Sequence, residues 1–321
     1  MTTGSKSYDP RVAAALIKDK ALHLGFSACG IARVHPLQAD SEYLEKWLEA
    51  GHNGRMGYLA NHADLRNDPS MLVPGAKSVI VVLLNYATDA CQHSESFRIA
   101  RYAHGNDYHF VVKQFLGELL RFIDDEFGSV EGRPFCDSAP VFERRWASEA
   151  GLGWIGMNHC LIHPQFGSFC VIGELIVDLE LDCDKPLEGD CGYCGRCLSA
   201  CPTQAIQDRG FLKAEQCVSY LTVELKDDVP QKYRNKLNGF VAGCDRCQEV
   251  CPWNHKAADY TARIWHLDEA ILSMSDQDWL SLESADFKKR LSKSSLTRLG
   301  YKKLMQNCRN IMDTKVSDAD E

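Results

Sequence analysis

The sequence has no apolar stretch approaching the ~20 residues that a membrane-spanning helix requires. The N-terminal residues 1–7 also lack the apolar segment of a secretory signal. Apart from one doubled cysteine motif, the 321 residues contain no internal repeat, which excludes a protein built of stacked repeats. These absences predict a globular protein of two or three domains without a membrane partner.

Cysteine is the residue that the chain has in excess, with 15 in all and eight between positions 191 and 251. This segment opens with C-x2-C-x2-C-x3-C-P, adds one cysteine, and closes with C-x2-C-x3-C-P. Two [4Fe–4S] clusters require eight thiolates, and in this spacing the cysteine before proline ligates the other cluster. The pattern therefore assigns four ligands to each cluster: Cys191, Cys194, Cys197 and Cys251 to one, and Cys201, Cys217, Cys244 and Cys247 to its neighbour.

Structural zinc and disulfide bonds are the alternative uses of these cysteines. Zinc sites usually combine two C-x2-C pairs and do not interleave their ligands in this way. The remaining seven cysteines show no framework, so we expect them to be reduced: Cys29, Cys91, Cys136, Cys160, Cys170, Cys183 and Cys308. The combination predicts a cytoplasmic protein that transfers single electrons.

The net charge of −8 conceals a basic segment near the C-terminus. Residues 285–315 carry nine lysines and arginines against two aspartates, which gives +7 and leaves −15 for the rest of the chain. A basic segment on an acidic body indicates a phosphate-rich partner, although a solvated helix face would have the same composition. The candidate nucleic-acid contacts are Lys226, Lys293, Arg298, Lys302 and Lys303.

Hydrophobic periodicity predicts a mixed α and β region before the cysteines. Helices are expected at 10–24, 41–50 and roughly 107–127, and strands at 26–34, 78–85 and 169–178. Beyond Trp253 the chain is expected to be helical.

Two motifs suggest ligands that their context does not support. The glycines at 151, 153 and 156 match G-x-G-x-x-G, but a dinucleotide loop follows a strand and opens a helix, and here the order is reversed. His159 and His163 could ligate a metal, but Pro164 argues against the helix that an i, i+4 pair requires.

The stretch Asp137-Ser138-Ala139-Pro140 indicates a helix start, with Ser138 as the cap and Pro140 in the first turn. Asp137 is then either the anion of that helix start or a proton donor. The two roles conflict, because a helix N-terminus stabilises the carboxylate whereas a proton donor needs a raised pKa. Desolvation in a dry pocket would raise the pKa of Asp137 against the helix field.

Over nearly its whole length the chain resembles the epoxyqueuosine reductases, cobalamin-dependent enzymes of the last step of queuosine synthesis on tRNA. The resemblance rests on both cysteine sets and on the stretches 74–80, 101–109, 137–141, 151–156 and 217–222. It implies that Asp137 is the catalytic proton donor. It also implies a cobalamin site at Tyr102, Asp137, Asn158, Cys160, Leu161, Ser219, Cys244 and Asp245. Met157 departs from the lysine that the family often has there.

The resemblance further implies an α/β (mixed α+β) catalytic domain over 1–182, a bacterial-ferredoxin-like module with two [4Fe–4S] clusters over 183–258, and a helical, basic tRNA-binding segment over 259–321. Its implied substrate is epoxyqueuosine in a tRNA anticodon stem-loop, and its implied electron donor is a flavodoxin or ferredoxin system. We expect a monomer. Two other functions stay open: a reductive dehalogenase-like enzyme acting on a small molecule, and a non-catalytic ferredoxin-type electron-transfer protein.

Overall fold

The computed structural model of the chain describes residues 7–207 and 211–319. Its strands are β1 (Ala28–Arg33), β2 (Ser78–Asn85), β3 (Arg98–Ile99), β4 (Gly132–Phe135), β5 (Trp154–Ile155), β6 (Leu161–Ile162), β7 (Cys170–Val177) and β8 (Phe240–Ala242). The α-helices are α1 (Pro10–Leu24), α2 (Gln38–Glu49), α3 (Ala63–Asn67), α4 (Tyr108–Phe127), α5 (Glu143–Glu149), α6 (Arg196–Ala200), α7 (Gln231–Arg234), α8 (Arg246–Glu249), α9 (Glu269–Leu272), α10 (Asp276–Leu280), α11 (Ser284–Arg290), α12 (Leu296–Leu299) and α13 (Tyr301–Ala319).

A four-stranded antiparallel sheet with the order β1-β2-β7-β4 forms the centre of the N-terminal half. Every residue of β2 is buried, because its two faces are covered by different helices. Ile80, Val82 and Leu84 pack with residues of α1 and α4, whereas Val79, Val81 and Leu83 pack with Trp146 of α5. The apolar run at 78–85 is therefore the buried strand that the sequence predicts.

A second hydrophobic core joins parts of the chain that are distant in sequence. It contains Phe97 and Ile99, residues of the segment 218–242, and residues of the helices from α9 to α13. Strand β3 pairs in parallel with β8 at its edge. The division at residues 182 and 258 stays a prediction, and this core includes residues from all three predicted segments.

Most predicted elements are confirmed, including α1 and β2 with their predicted bounds. The predicted helix start at Ser138 and Pro140 is wrong, because α5 begins at Glu143. Asp137 has φ +59°, in the left-handed region, and its backbone N–H donates to the Glu143 carboxylate. This hydrogen bond closes an irregular loop where the helix was expected. Within the described ranges, no helix is long and apolar enough to cross a membrane.

Candidate active site and cluster module

The eight motif cysteines lie in two groups of four. Cys191, Cys194, Cys197 and Cys251 line one small cavity, beside Met157 and Asn158. Burial raises the pKa of Cys251, and the thiols of Cys194 and Cys191 contribute to the same rise. The three thiols are therefore close together. The cysteine before the second proline therefore lies with the three cysteines of the first motif, as the ferredoxin spacing requires.

The second group is more deeply buried. Burial, together with the nearby thiols of Cys217 and Cys201, raises the pKa of Cys244 to about 12. The thiols of Cys217 and Cys244 also raise the pKa of Cys247. These four thiols are thus mutual neighbours, and the two groups together supply the eight sulfur ligands that two [4Fe–4S] clusters need.

Asp137 is held at the start of α4 by two side chains of that helix. The Tyr108 hydroxyl donates to Asp137 Oδ2 over 2.8 Å, and His109 Nε2 lies 2.7 Å from the same oxygen. His109 Nδ1 lies 2.6 Å from Asp107 Oδ1, and the His109 ring stacks on that of Tyr108. The Asp137 side chain remains 53% exposed, so its carboxylate is available to a ligand.

The electrostatics of Asp137 differ from the expectation for a proton donor. Burial raises the pKa of Asp137, but hydrogen bonds from His109 and Tyr108 outweigh it and leave the pKa below its ordinary value. In the protein without a bound substrate the pKa of Asp137 is thus lowered, and the expectation that desolvation beside the epoxide raises it stays a prediction. The effect that lowers the pKa of Asp137 comes from His109 and Tyr108 rather than from a helix N-terminus, because α5 begins only at Glu143.

Two further carboxyl groups lie beneath the Asp137 loop. Burial, together with the nearby Asp137 carboxylate, raises the pKa of Glu143 to about 8. Glu174, in the centre of β7, is 0% exposed, and neither of its oxygens has a hydrogen-bond partner in the described part of the chain. Burial and the neighbouring Glu143 raise the pKa of Glu174 well above its ordinary value. Both groups favour the neutral acid because a charge there is poorly solvated.

The structure brings Tyr102 between Asp137 and Asp245. Tyr102 packs edge-on against Tyr108 at 6.0 Å, and burial followed by the charges of Asp245 and Asp137 raises its pKa. Asp245 is buried and accepts a hydrogen bond from the Arg101 backbone N–H at 2.8 Å. Burial raises the pKa of Asp245 to about 6.

The other predicted cobalamin residues lie around the cluster cysteines. Asn158 is buried next to the first group of thiols, and its Nδ2 has no hydrogen-bond partner among the described residues. The thiol of Cys160 contacts that of Cys247. Leu161 is buried in the β5–β6 hairpin, and Ser219 follows Cys217 by two residues and is half-buried.

The basic residues do not all face solvent. Lys226, Lys293, Arg298 and Lys302 are exposed. Lys303 is buried and donates to the Asp227 carbonyl at 2.8 Å, and burial lowers its pKa to about 8. The prediction that Lys303 contacts RNA phosphates does not fit this placement, because its ammonium group is used inside the protein.

The glycine motif and the histidine pair have structural explanations. Gly151 follows α5 and Gly153 precedes β5, and a Cβ on either would overlap a backbone carbonyl, of Lys185 or Ile162 respectively. The His163 ring stacks on Phe166, and burial lowers the pKa of His159 and of His163 to about 4. Within residues 7–207 and 211–319, no three His, Cys, Asp or Glu side chains form a single-ion site.

Sequence reasoning missed His109, Glu143 and Glu174. His109 stands in the stretch Asp107-Tyr108-His109, which is part of the resemblance, but sequence spacing assigned no role to His109. An acid two residues before a histidine at a helix start is a signal for such a pair, but its link to Asp137 spans 28 residues. The two glutamates carry no local signal, because their properties come from burial.

Comparison with known proteins agrees with this geometry. Residues 66–138 match the family model for epoxyqueuosine reductase QueG, DUF1730, and residues 190–254 match the 4Fe-4S double cluster binding domain. The epoxyqueuosine reductase of Cellulophaga algicola is 44% identical over 91% of this chain and 95% of its own length. That of Leadbetterella byssophila is 43% identical over 91% of this chain and 95% of its own length.

Solved structures of epoxyqueuosine reductases share the fold. One crystal structure has a TM-score of 0.85 at 27% identity and covers 93% of this chain and 80% of its own. A second, with a tRNA-Tyr epoxyqueuosine-modified stem loop, has a TM-score of 0.81 at 26% identity with the same coverage. A reductive dehalogenase has a TM-score of 0.52 at 18% identity over 80% of this chain and 35% of its own, a likeness of fold alone. By its relatives, its two family models and its paired groups of thiols, the chain belongs to the epoxyqueuosine reductase family.

Proposed function

We propose that this chain reduces epoxyqueuosine to queuosine in the wobble position of tRNA, with cobalamin as the cofactor and Asp137 as the proton donor. The observation that carries the proposal is the position of Asp137. Its half-exposed carboxylate is held by Tyr108 and His109, and both it and Asp245, which follows the cluster cysteine Cys244, are near enough to Tyr102 to raise the pKa of that phenol. Electrons from the clusters and a proton from a side chain can thus meet at one substrate.

Iron–sulfur ligation is the best supported part of this proposal. We assign Cys191, Cys194, Cys197 and Cys251 to one cluster and Cys201, Cys217, Cys244 and Cys247 to the other. The cavity shared by the first group and the mutual electrostatic effect of the second support the assignment.

The residues around Tyr102 fit a cobalamin. The buried Asn158 amide has a donor without a partner among the described residues, which suits the amide-rich edge of a corrin, and Tyr102 and Asp245 offer further polar groups. Cobalamin, when bound, supplies a strongly nucleophilic low-valent cobalt, which is the chemistry that amino-acid side chains lack. The chain's own residues have to hold the substrate, exclude water and protonate the departing oxygen.

The basic segment supports an RNA substrate because it joins the protein next to Asp137. The Asp107 backbone N–H donates to the Lys293 carbonyl at 2.6 Å, and Arg298 Nε lies 3.5 Å from Asp107 Oδ2. Exposed cations here and at Lys226 and Lys302 would contact phosphates of the anticodon stem-loop while the modified base is splayed into the site. A related enzyme has been solved with such a stem loop.

An external one-electron donor, such as a flavodoxin or ferredoxin, would complete the reaction. Cys194 is the exposed thiol of the first group, and a cavity of about 880 Å³ opens beside it, lined also by Arg101, Arg196 and His255. We propose that electrons enter there, that the protein acts as a monomer, and that it works in the cytoplasm, where thiols stay reduced.

The test is anaerobic purification followed by cobalamin loading and assay on tRNA that carries the epoxide. We expect about eight irons per chain, since each of two clusters holds four, and conversion to queuosine only with cobalamin and a reductant. Reduction of a small halogenated compound instead would indicate a dehalogenase. Clusters without cobalamin uptake would indicate an electron-transfer protein.

Asp137→Asn tests the proton donor. The substitution keeps the size and the hydrogen-bond acceptor but removes the acid, so we expect turnover to fall by about 10²–10⁴-fold with iron content and the cobalamin spectrum unchanged. Asp125→Asn, far from the loop in the last turns of α4, serves as the matched control. Unchanged turnover in Asp137→Asn would remove Asp137 from the mechanism.

A further inference from the structure

A line of charged side chains runs from the basic segment to Asp137. Arg298 Nε lies 3.5 Å from Asp107 Oδ2, His109 Nδ1 lies 2.6 Å from Asp107 Oδ1, and His109 Nε2 lies 2.7 Å from Asp137 Oδ2. The two histidine contacts have the length of charge-assisted hydrogen bonds. The inner members are shielded from water, with only 5% of the His109 side chain and 6% of the Asp107 side chain exposed.

The geometry requires a mobile proton in this line. An ionised carboxylate only accepts hydrogen bonds, so a histidine whose two ring nitrogens both meet carboxylates must donate from both and be an imidazolium. If His109 is instead neutral, one of the two carboxyl groups must carry the proton. These arrangements differ by the movement of one proton, either across the 2.6 Å between His109 Nδ1 and Asp107 Oδ1 or across the 2.7 Å between His109 Nε2 and Asp137 Oδ2.

The groups that face His109 favour the imidazolium. Burial lowers the pKa of His109, but its hydrogen bonds to Asp107 and then Asp137 reverse this and leave the pKa above its ordinary value. Arg298 lies 3.5 Å from Asp107 Oδ2, whereas His109 contacts the other oxygen of that carboxylate. Glu143 contacts the backbone N–H of Asp137, and burial together with the Asp137 charge raises its pKa to about 8, which favours the neutral acid near pH 7. The resting proton is therefore on His109.

We propose that His109 stores the proton that Asp137 delivers, so that Asp107, His109 and Asp137 act as a relay. The inference rests on the proposed function and adds a positioning residue that acts through Asp137. It removes the conflict that a lowered pKa creates for a proton donor. Asp137 need not hold a proton at rest, because it passes on the proton of its neighbour.

The proposed relay supplies the protons that the reduction consumes. Reduction of the epoxide to the alkene consumes two electrons and two protons and releases water. The electrons come from the external donor through the clusters. As each carbon–oxygen bond breaks, the Nε2 proton of His109 moves to the Asp137 carboxylate, and Asp137 passes a proton to the departing oxygen. His109 is left neutral, with its Nδ1 proton still donated to Asp107, and a proton from solvent returns through the exposed Asp137 carboxylate before the second step.

Neighbouring groups are poorer sources of this proton. The Tyr108 hydroxyl also touches Asp137 Oδ2, but burial and the Asp137 charge raise its pKa far above the ordinary value, so it keeps its proton. Glu143 accepts its hydrogen bond from the backbone N–H of Asp137, so it meets the main chain of the loop. His109 combines a transferable proton with direct contact.

His109→Gln tests the relay in the cluster- and cobalamin-loaded protein. In the wild type, turnover should fall as pH rises through the raised pKa of His109, because the stored proton is then lost. In His109→Gln, Asp137 has to hold the proton itself, so this alkaline limb should move to lower pH by at least about one unit, since carboxyl groups titrate below imidazole. We expect turnover about 10²-fold below wild type at pH 8 and a smaller loss at pH 6. His23→Gln, on the exposed face of α1, should match the wild type at every pH.

Asp107→Asn is a second test of the relay, in which no loss of folding is expected. Asparagine caps a helix as well as aspartate does, so α4 should start as before, while the imidazolium loses its inner anion. The alkaline limb should move to lower pH here too, with iron and cobalamin content unchanged. An equal loss of turnover at all pH values in both variants would mean a structural role and overturn the relay.

A second readout does not involve turnover. A raised histidine pKa stabilises the folded protein below the unfolded pKa, near 6.5, and this contribution is lost as pH rises through the folded value. Urea unfolding of the as-purified protein should therefore show a decline in stability above about pH 6.5 that is weaker in His109→Gln. An identical decline in both proteins would also overturn the relay.

If the wild type itself fails to reduce the tRNA epoxide, the proposed function fails, whereas the relay fails when an active wild type shares its pH profile with His109→Gln.

Discussion

Lys302 and Lys303 are adjacent in the sequence but have different surroundings. Lys302 is exposed, and Lys303 is buried with its ammonium on the Asp227 carbonyl. In α13 neighbouring residues point about 100° apart, so one faces solvent while the next faces the core. Composition alone treats both as part of the same basic segment.

The first prediction compares the two lysines. Lys302→Gln should weaken tRNA binding and reduce the slope of log K against log salt by about one, because one phosphate contact is lost. Lys303→Gln should leave that slope unchanged and lower the free energy of unfolding by about 1–3 kcal/mol, because it removes a buried donor. Filter binding across a salt series and urea unfolding measure the two effects. Equal salt slopes for both variants would contradict the assignment.

The second prediction concerns Glu174, whose buried carboxyl group has a strongly raised pKa. The folded protein then binds a proton that the unfolded chain releases above about pH 4.3, so folding stability falls as pH rises until the folded pKa is reached. The slope for one proton is up to about 1.4 kcal/mol per pH unit.

Glu174→Gln should flatten this dependence, because the amide is neutral at every pH. Urea unfolding between pH 5 and pH 8, at roughly one-unit intervals, measures the slope. Glu126→Gln, exposed near the end of α4, is the control and should keep the wild-type slope. A wild-type stability that does not fall over this range would show that Glu174 is ionised in the folded protein.

At the scale of elements, two glycines have different reasons for their place in the structure: Gly30 allows close packing, whereas Gly117 lies in a helix where packing does not require glycine. A Cβ at Gly30 in β1 would overlap the Ala150 carbonyl oxygen at the end of α5. At Gly117, inside α4, a Cβ would meet nothing within 4 Å. The two positions therefore have opposite expectations for the same substitution.

We predict that Gly30→Ala lowers the free energy of unfolding by about 1–3 kcal/mol, because a strand or a helix has to move. Gly117→Ala should raise it by about 0.5–1 kcal/mol, because alanine loses less conformational freedom in a helix. Urea unfolding measures both. Similar effects of the same sign would mean that β1 and α5 are not packed as closely as the structure has them.

Elements with a strong period were predictable, and the loop at Asp137 was not. Fifteen residues of α1 and eight of β2 have bounds that follow from their apolar patterns. The Ser138 and Pro140 signal failed because Asp137 takes part in hydrogen bonds with α4 and Glu143. Local capping preferences are worth about 1 kcal/mol, so several tertiary hydrogen bonds override them.

At the scale of the whole molecule, the C-terminal helices are part of a core that also supports the second group of cysteines. Ile271, Trp279 and Leu304 are buried in the same cluster as Val218 and Leu221, and Cys217 and Cys244 pack against it. The basic segment therefore has a structural role in addition to the proposed contact with RNA.

We predict that a chain ending at residue 258 loses the second cluster. Without α9 to α13 the core around Val218 is exposed, so iron after anaerobic reconstitution should fall from about eight to about four per chain or fewer. Iron analysis and thermal unfolding, compared with the full chain, measure this. Full iron content with loss of tRNA binding alone would mean that the segment after 258 is a separate RNA-binding module.

The sequence by itself determined the candidate cluster ligands, the cationic segment and the family, because these depend on spacing, on charge and on residues that stand in recognisable order. Ligands two or three residues apart reach one cluster largely independently of distant contacts. Only the tertiary structure decided that Asp137 meets His109 across 28 residues, that Lys303 is withdrawn from solvent, and that the Glu174 carboxyl group has no hydrogen-bond partner in residues 7–207 and 211–319. Protonation and accessibility depend on burial and on long-range hydrogen bonds, and these exist only after the sheet and its helices have packed.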